Sequence, residues 1–84
     1  MELFYIAKYA LTKGIYKAYG RYFDNSQTIV IRNELGKTLD IIPQGIGAFK
    51  SKSEAIVYAE ELRKQKITQL LSQIENLKKI DFVN

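Results

Sequence analysis

The 29 residues from Ser51 to Lys79 contain neither Gly nor Pro. Within this run Ala55, Ile56, Tyr58, Ala59, Leu62, Ile67, Leu70, Leu71, Ile74 and Leu77 recur mostly at intervals of three or four, the helix period rather than the strand period. Ser51 and Glu54 have capping-box spacing: the Ser side chain accepts the backbone N–H three residues on, and the Glu reaches back. Lys78 and Lys79 fall in the last turn, where cations oppose the negative end of the dipole. The run predicts one helix over residues 51–79, roughly 40 Å long at 1.5 Å per residue. Whatever the preceding fifty residues form has to accommodate it.

A chain of 84 residues makes one domain with a small core. It has no Cys and no His, so disulfides, thiolate metal sites, the commonest general base and the commonest transition-metal ligand are all missing. Among the carboxylates, Glu54 is claimed by the cap, and Glu60 and Glu61 are adjacent on a helix and diverge. No nucleophile–base pair or metal cluster can be assembled, so no catalytic residue, metal or cofactor is expected and the chain reads as a non-enzyme. No apolar run is long enough to span a bilayer and no signal peptide precedes the fold, so a cytosolic protein without a membrane partner is expected. The net charge of +4 permits an anionic partner.

Residues 1–43 read as a meander. Glu2 to Ala10 is rich in aromatic and β-branched residues and predicts strand one. Thr12-Lys13-Gly14 is a turn signal, and Ile15 to Phe23 predicts strand two. Asp24-Asn25-Ser26 is the next turn, followed by strand three from Gln27 to Arg32. Asn33-Glu34-Leu35-Gly36 predicts a tight hairpin, and Lys37 to Ile42 strand four, ended by Pro43. Such short connections make the strands antiparallel. The expected fold is α+β, a four-stranded antiparallel β-meander followed by one long C-terminal α-helix (ββββα), with a loop at 44–50 and a tail at 80–84.

Strand two suggests where the helix sits. Tyr16, Ala18, Gly20 and Tyr22 share one face, and the small Ala18 and Gly20 would let a helix approach closely. The helix is placed there, with Ile29, Ile31, Leu39 and Ile41 as candidates for the same face. A seven-residue strand is roughly 23 Å long, so the helix overhangs the sheet. Beyond Arg63-Lys64-Gln65-Lys66 its apolar line resumes as Ile67, Leu70, Leu71, Ile74 and Leu77, with the three–four spacing of a short coiled-coil seam. Two plain alternatives exist: the tail residues Ile80-Asp81-Phe82-Val83 fold back over it, or the helix breaks near Lys64. The seam points to a homo-oligomer.

Two stretches are candidate ligand sites. Pro43-Gln44-Gly45-Ile46-Gly47 precedes the helix start, where backbone N–H groups, Lys50, Lys52 and the Ser51 hydroxyl could cradle an anion. It lacks the Walker and dinucleotide fingerprints, and a plain connection using Gly45 and Gly47 for unusual backbone angles is the simpler reading. Lys17, Tyr19 and Arg21 alternate along one face of strand two, so Tyr19 could stack a base while the cations meet phosphates, and Tyr5 and Tyr9 of strand one could join that surface, depending on register. Cross-strand aromatic pairing with solvated cations is the simpler reading there. Five of the six Tyr residues lie in the first 22 positions.

The run Phe49-Lys50-Ser51-Lys52-Ser53-Glu54-Ala55, after β-rich sequence and before a long Glu/Lys/Gln-rich helix, resembles the helix start of many very small phage- and prophage-encoded proteins. Some of these belong to anti-defence families that block host nucleases or sequester nucleotide signals. The resemblance covers the layout and about ten residues and assigns no binding residue. It implies a phage-like, non-enzymatic, homo-oligomeric binding protein of the host cytosol that engages a nucleotide or nucleic acid. The alternatives are an inhibitor that grips a host protein through the helix, and a purely structural assembly unit.

Overall fold

Glu2-Leu3-Phe4-Tyr5-Ile6 alternates as a half-buried strand should, and in the computed structural model it is the first strand of a sheet. The structure describes residues 1–24 and 26–83; Asn25, in an expected turn, and Asn84, at the end of the expected tail, lie outside the described residues. The elements are β1 (Glu2–Ile6), α1 (Ala10–Lys13), β2 (Tyr16–Tyr22), β3 (Thr28–Arg32), β4 (Thr38–Pro43), β5 (Ala48–Phe49) and α2 (Lys52–Lys78). The fold is α+β, an antiparallel sheet followed by a long C-terminal helix, with five strands in the order β4-β3-β2-β1-β5.

Two elements depart from the sequence reading. Strand one stops at Ile6 because the Ala7 and Lys8 N–H groups turn aside to donate to the Gly47 carbonyl. The chain then winds through α1, with Lys13 N–H donating to Tyr9 O at 2.7 Å and Gly14, at φ 70°, ending the turn. The second departure is β5, which forms from the expected loop: Phe49 and Ala48 pair with Tyr5 and Ile6. Two residues are too few to show a strand period.

The order puts β4 and β5 on opposite edges, yet only Gln44 to Gly47 join them. A flat five-stranded sheet would hold its edges about 19 Å apart, four spacings of about 4.8 Å. A bridge between Gln44 and Ala48 brings those edges together instead, so the sheet curls onto one face. Phe4, Ile6, Ile29, Ile31, Ile42 and Ala48 fill the inside, with Ala18 and Tyr22 packed against them. Phe4 and Tyr22 meet edge to face at 5.7 Å, and the Tyr22 hydroxyl donates to Gln44 Oε1 at 2.8 Å.

The curl corrects the expected position of the helix. Ala18, Gly20, Tyr22, Ile29 and Ile31 do share a face, as the registers Phe4–Ala18, Gly20–Ile31 and Tyr22–Ile29 require. The sheet itself covers that face. A Cβ on Gly20 would lie 2.8 Å from the Val30 carbonyl oxygen and 2.9 Å from Ile31 Cδ1, so the missing side chain admits β3, not a helix. Leu39 and Ile41 do not join this face; both are exposed, and Ile42 is buried opposite Ile29. A register shift at Ile31/Arg32 leaves Leu39 without a partner in the ladder.

Helix α2 starts on the other face. Ala55 and Tyr58 pack over Tyr5, Ala7 and Phe49 beside Ala10 of α1, with the Phe49 and Tyr58 rings 5.3 Å apart. Ser51 is its N-cap, accepting the Glu54 N–H at 3.2 Å. Among the described residues of α2, Ala55 alone is buried. The helix runs unbroken past Lys64 and projects away, giving a radius of gyration of 17.8 Å, where a compact chain of this length has about 12 Å.

Replacing Gly20 by Ala should lower stability by about 1–3 kcal/mol, the range for overpacking a closed core. Urea unfolding checks this, and an unchanged midpoint would show that the sheet does not close on itself at Gly20.

Candidate functional site

The two strands that flank β2 grip different parts of it. β1 pairs along Tyr16 to Gly20, whereas β3 pairs only at Gly20, Arg21 and Tyr22. The β3–β4 hairpin therefore splays from the first half of β2, leaving a groove of about 720 Å³. Lys13, Lys17, Tyr16, Tyr19 and Arg32 line it, together with Tyr9 and Asp40. A second hollow of about 560 Å³ shares Tyr19 and Arg32 as its wall and extends along Met1 and the hairpin tip Asn33-Glu34-Leu35. The two form one track, with Tyr19 and Arg32 at its middle.

A carboxylate beside three cations would weaken an anion site, but Asp40 is already engaged. Its Oδ2 accepts the Tyr9 hydroxyl at 2.8 Å and its Oδ1 accepts Lys8 Nζ at 3.2 Å, and its own segment adds the Ile41 N–H. Burial pushes the Asp40 carboxyl up; hydrogen bonds from Tyr9, Ile41 and Lys8 outweigh it and hold the group below its ordinary range. Lys8 is raised by its contacts with Tyr9 and then Asp40. Tyr16 is raised by burial and then by the Asp40 charge, so its phenol stays protonated and available as a donor. Arg32 gives one N–H to the Gly36 carbonyl at 2.9 Å, while its Nε is buried with no hydrogen-bond partner. That donor is costly to leave unmade.

Charge follows the same division. Residues 1–50 hold seven Lys and Arg against four Asp and Glu, and residues 51–84 hold six against five. The sheet, not the helix, carries most of the positive excess.

Of the residues singled out from sequence, Lys17 and Tyr19 lie on this track, Tyr19 being 60% exposed. Arg21 shares their face but stands opposite Val30, beyond the splay. The glycine loop is a separate place. Gly45 N–H donates to Ala48 O, Ile46 N–H to Pro43 O, and Gly47 O takes two N–H groups from β1's end. Lys50 pairs with Glu2 at 3.5 Å and lies 5.4 Å from the centre of the Tyr22 ring. Ser51 caps α2, and Lys52 is its first, exposed residue. Loop and cap are thus engaged in closing the sheet and starting the helix. Ile67, Leu70, Leu71, Ile74 and Leu77 are all exposed on the distal helix.

Sequence reasoning named Tyr9 as able to join the surface of Lys17 and Tyr19, and missed Lys8, Lys13, Tyr16, Arg32 and Asp40. The crowding of Tyr into the first 22 positions was the available signal for the tyrosines; the Tyr9–Asp40 bond joins residues 31 apart and leaves no local trace. Among the described residues no group of three His, Cys, Asp or Glu side chains is placed to hold a metal ion, and no helix is long and apolar enough to cross a membrane. No protein-family model, curated protein or solved structure matches the chain.

The Tyr9–Asp40–Lys8 link predicts a pH dependence. A depressed carboxylate contributes stability that is present above its unfolded value, about 3.9, and is lost as pH falls through the folded value; a raised Lys contributes stability present below about 10.5 and lost above it. Asp40→Asn should be less stable than wild type by a constant margin from about pH 5 to pH 9, and the margin should close below about pH 4. Thermal unfolding against pH reads this directly, and a margin that persists at pH 2 would rule out the carboxylate as its source.

Proposed function

We propose that this chain is a non-enzymatic, self-associating binding protein whose ligand is an anionic nucleotide or nucleic acid, held in the groove between β2 and the β3–β4 hairpin. The observation that carries the reading is the convergence of Lys13, Lys17 and Arg32 with Tyr9, Tyr16 and Tyr19 on one groove, whose carboxylate is already tied to Lys8 and Tyr9. Exposed tyrosine faces stack bases of any sequence, and the cations meet phosphates. Arg32 lines the groove and brings its cationic guanidinium to a phosphate held there. Glu34 at the hairpin tip sets the far limit of the track. If the chain is phage-encoded, as its layout implies, such binding would sequester a nucleotide signal or shield a nucleic acid.

Anisotropy with a labelled single-stranded oligonucleotide tests the site. Lys17→Ala/Arg32→Ala should weaken binding about tenfold or more and reduce the slope of log K against log salt by about 1.4, two single-strand phosphate contacts at about 0.7 each. Lys50→Ala/Lys52→Ala should change little, because Lys50 is engaged by Glu2 and Tyr22. Loss confined to the second pair moves the site to the glycine loop, and wild type that binds no nucleotide or oligonucleotide ends the reading. The exposed apolar residues of α2 support a second reading, an inhibitor that grips another protein; pure protein that stays monomeric at high micromolar concentration favours it.

A further inference from the structure

Among the described residues none covers the distal half of α2. Ile67, Leu70, Ile74 and Leu77 are 51, 44, 47 and 66% exposed. The tail beyond Lys79 does not fold back over them, since Phe82 and Val83 are 90 and 81% exposed. In the unbroken helix Ile67 and Ile74 occupy a positions of a heptad, and Leu70 and Leu77 occupy d positions. One turn before this seam, Glu60 and Arg63 occupy the preceding a and d positions and are ion-paired with each other. The apolar seam therefore ends in a locally neutral pair.

We infer that the distal half of α2 pairs with the same segment of a second copy as a parallel, in-register, two-stranded coiled coil. The inference rests on the self-association proposed above and fixes its partner and direction. β-Branched Ile at both a positions with Leu at both d positions is the combination that selects two parallel strands. The flanking positions agree. In the parallel pair, Lys66 at g of one helix faces Leu71 at e of the other, and Gln73 faces Lys78. Within the two apolar heptads no like charges meet, and the Lys66 stem covers the exposed Leu71; one heptad earlier Glu60 and Arg63 would each face their own copy, and their ion pair within each helix offsets that repulsion. The antiparallel register that stacks all four apolar layers instead sets Lys64 of each copy against Lys78 of the other, at both ends. Facing like charges on a short seam disfavour that direction.

A parallel stalk places both sheets at one end of the assembly. A nucleic-acid strand long enough to reach both grooves would bind the second one intramolecularly, at an effective concentration set by its length.

The native chain has no Cys, so single cysteines report direction cleanly. Leu77→Cys puts two thiols at facing d positions in the parallel pair; Ser72→Cys lies on the outer f position. Under mild air oxidation Leu77→Cys should form covalent dimer about tenfold faster than Ser72→Cys, since only the seam brings Cα atoms within about 6 Å. Adding Leu70→Asp/Ile74→Asp to Leu77→Cys should abolish that advantage while leaving the sheet's near-ultraviolet tyrosine signal intact. Linkage that appears only in a mixture of Ile67→Cys and Leu77→Cys chains would overturn the parallel arrangement and leave self-association standing. A monomeric mass for wild type at high micromolar concentration would overturn both.

Discussion

The structure depends on a short tether between the two edges of its sheet. Gln44 to Gly47 link the last residue of β4 to β5, and strand order places those strands at opposite edges. The tether forces the sheet to roll, and the roll buries Phe4, Ile6, Ile29 and Ile42 completely. Gly20 and Gly47 mark where the roll is tightest, because a Cβ at either would press on Ile29, Ile31 and Val30 or on Lys8 and Ile42. Two further contacts span the closure: Tyr22 to Gln44, and Tyr9 with Lys8 to Asp40. The first holds the tether, and the second crosses from the end of β1 to β4. The splay of the β3–β4 hairpin lies beside that crossing, so the groove is a by-product of how the sheet is closed.

A sheet that covers its own inner face has no need of a helix to do so. That frees α2 from the role a two-layer α+β fold would give it. Its first turns still bury apolar surface, with Ala55 and Tyr58 set on Ala7 and Phe49. Beyond Leu62 the described residues of the helix are all exposed. Isolated helical segments of about a dozen residues are marginal in water, and Glu75–Lys78, 3.9 Å apart and exposed, adds little. A continuous helix with an apolar stripe in that position is best stabilised by another helix, and the described residues of its own chain do not supply one.

Much of this was legible in the sequence, and what was not has a common cause. The long helix could be placed to within a residue at each end, because Ser51 and Lys78 act locally and no Gly or Pro intervenes. Strands β2, β3 and β4 showed for the same reason: alternation and turn residues lie within a few positions of the strands they bound. The assignment failed where distant parts of the chain decide. Ala48-Phe49 becomes a strand only because β1 has a free edge. Ile41 and Ile42 are adjacent and equally apolar, and only the register with β3 selects Ile42 for the core. Gly20 signalled a close approach correctly but could not name what approaches. On the site, Lys17 and Tyr19 were visible as an alternating pair, whereas Arg32 and Asp40 entered only through the curl.

The separation of sheet and stalk bears on how the positive charge can act. Most of the excess sits in the first fifty residues, while the distal helix and the tail mix cations with Glu75 and Asp81. A long-range field from the sheet would steer an anion toward the groove and be screened over about 10 Å at 0.1 M salt. The apolar seam lies along the projecting part of a chain 61 Å in length, largely beyond that range. The proposed association through the seam would bury apolar side chains and be only weakly sensitive to salt, whereas the proposed occupation of the groove would be governed by phosphate contacts and fall steeply with it. The two proposed processes would therefore respond differently to one variable, and salt would separate them without any substitution: a rise in ionic strength should release an anionic ligand while leaving any helical pairing in place.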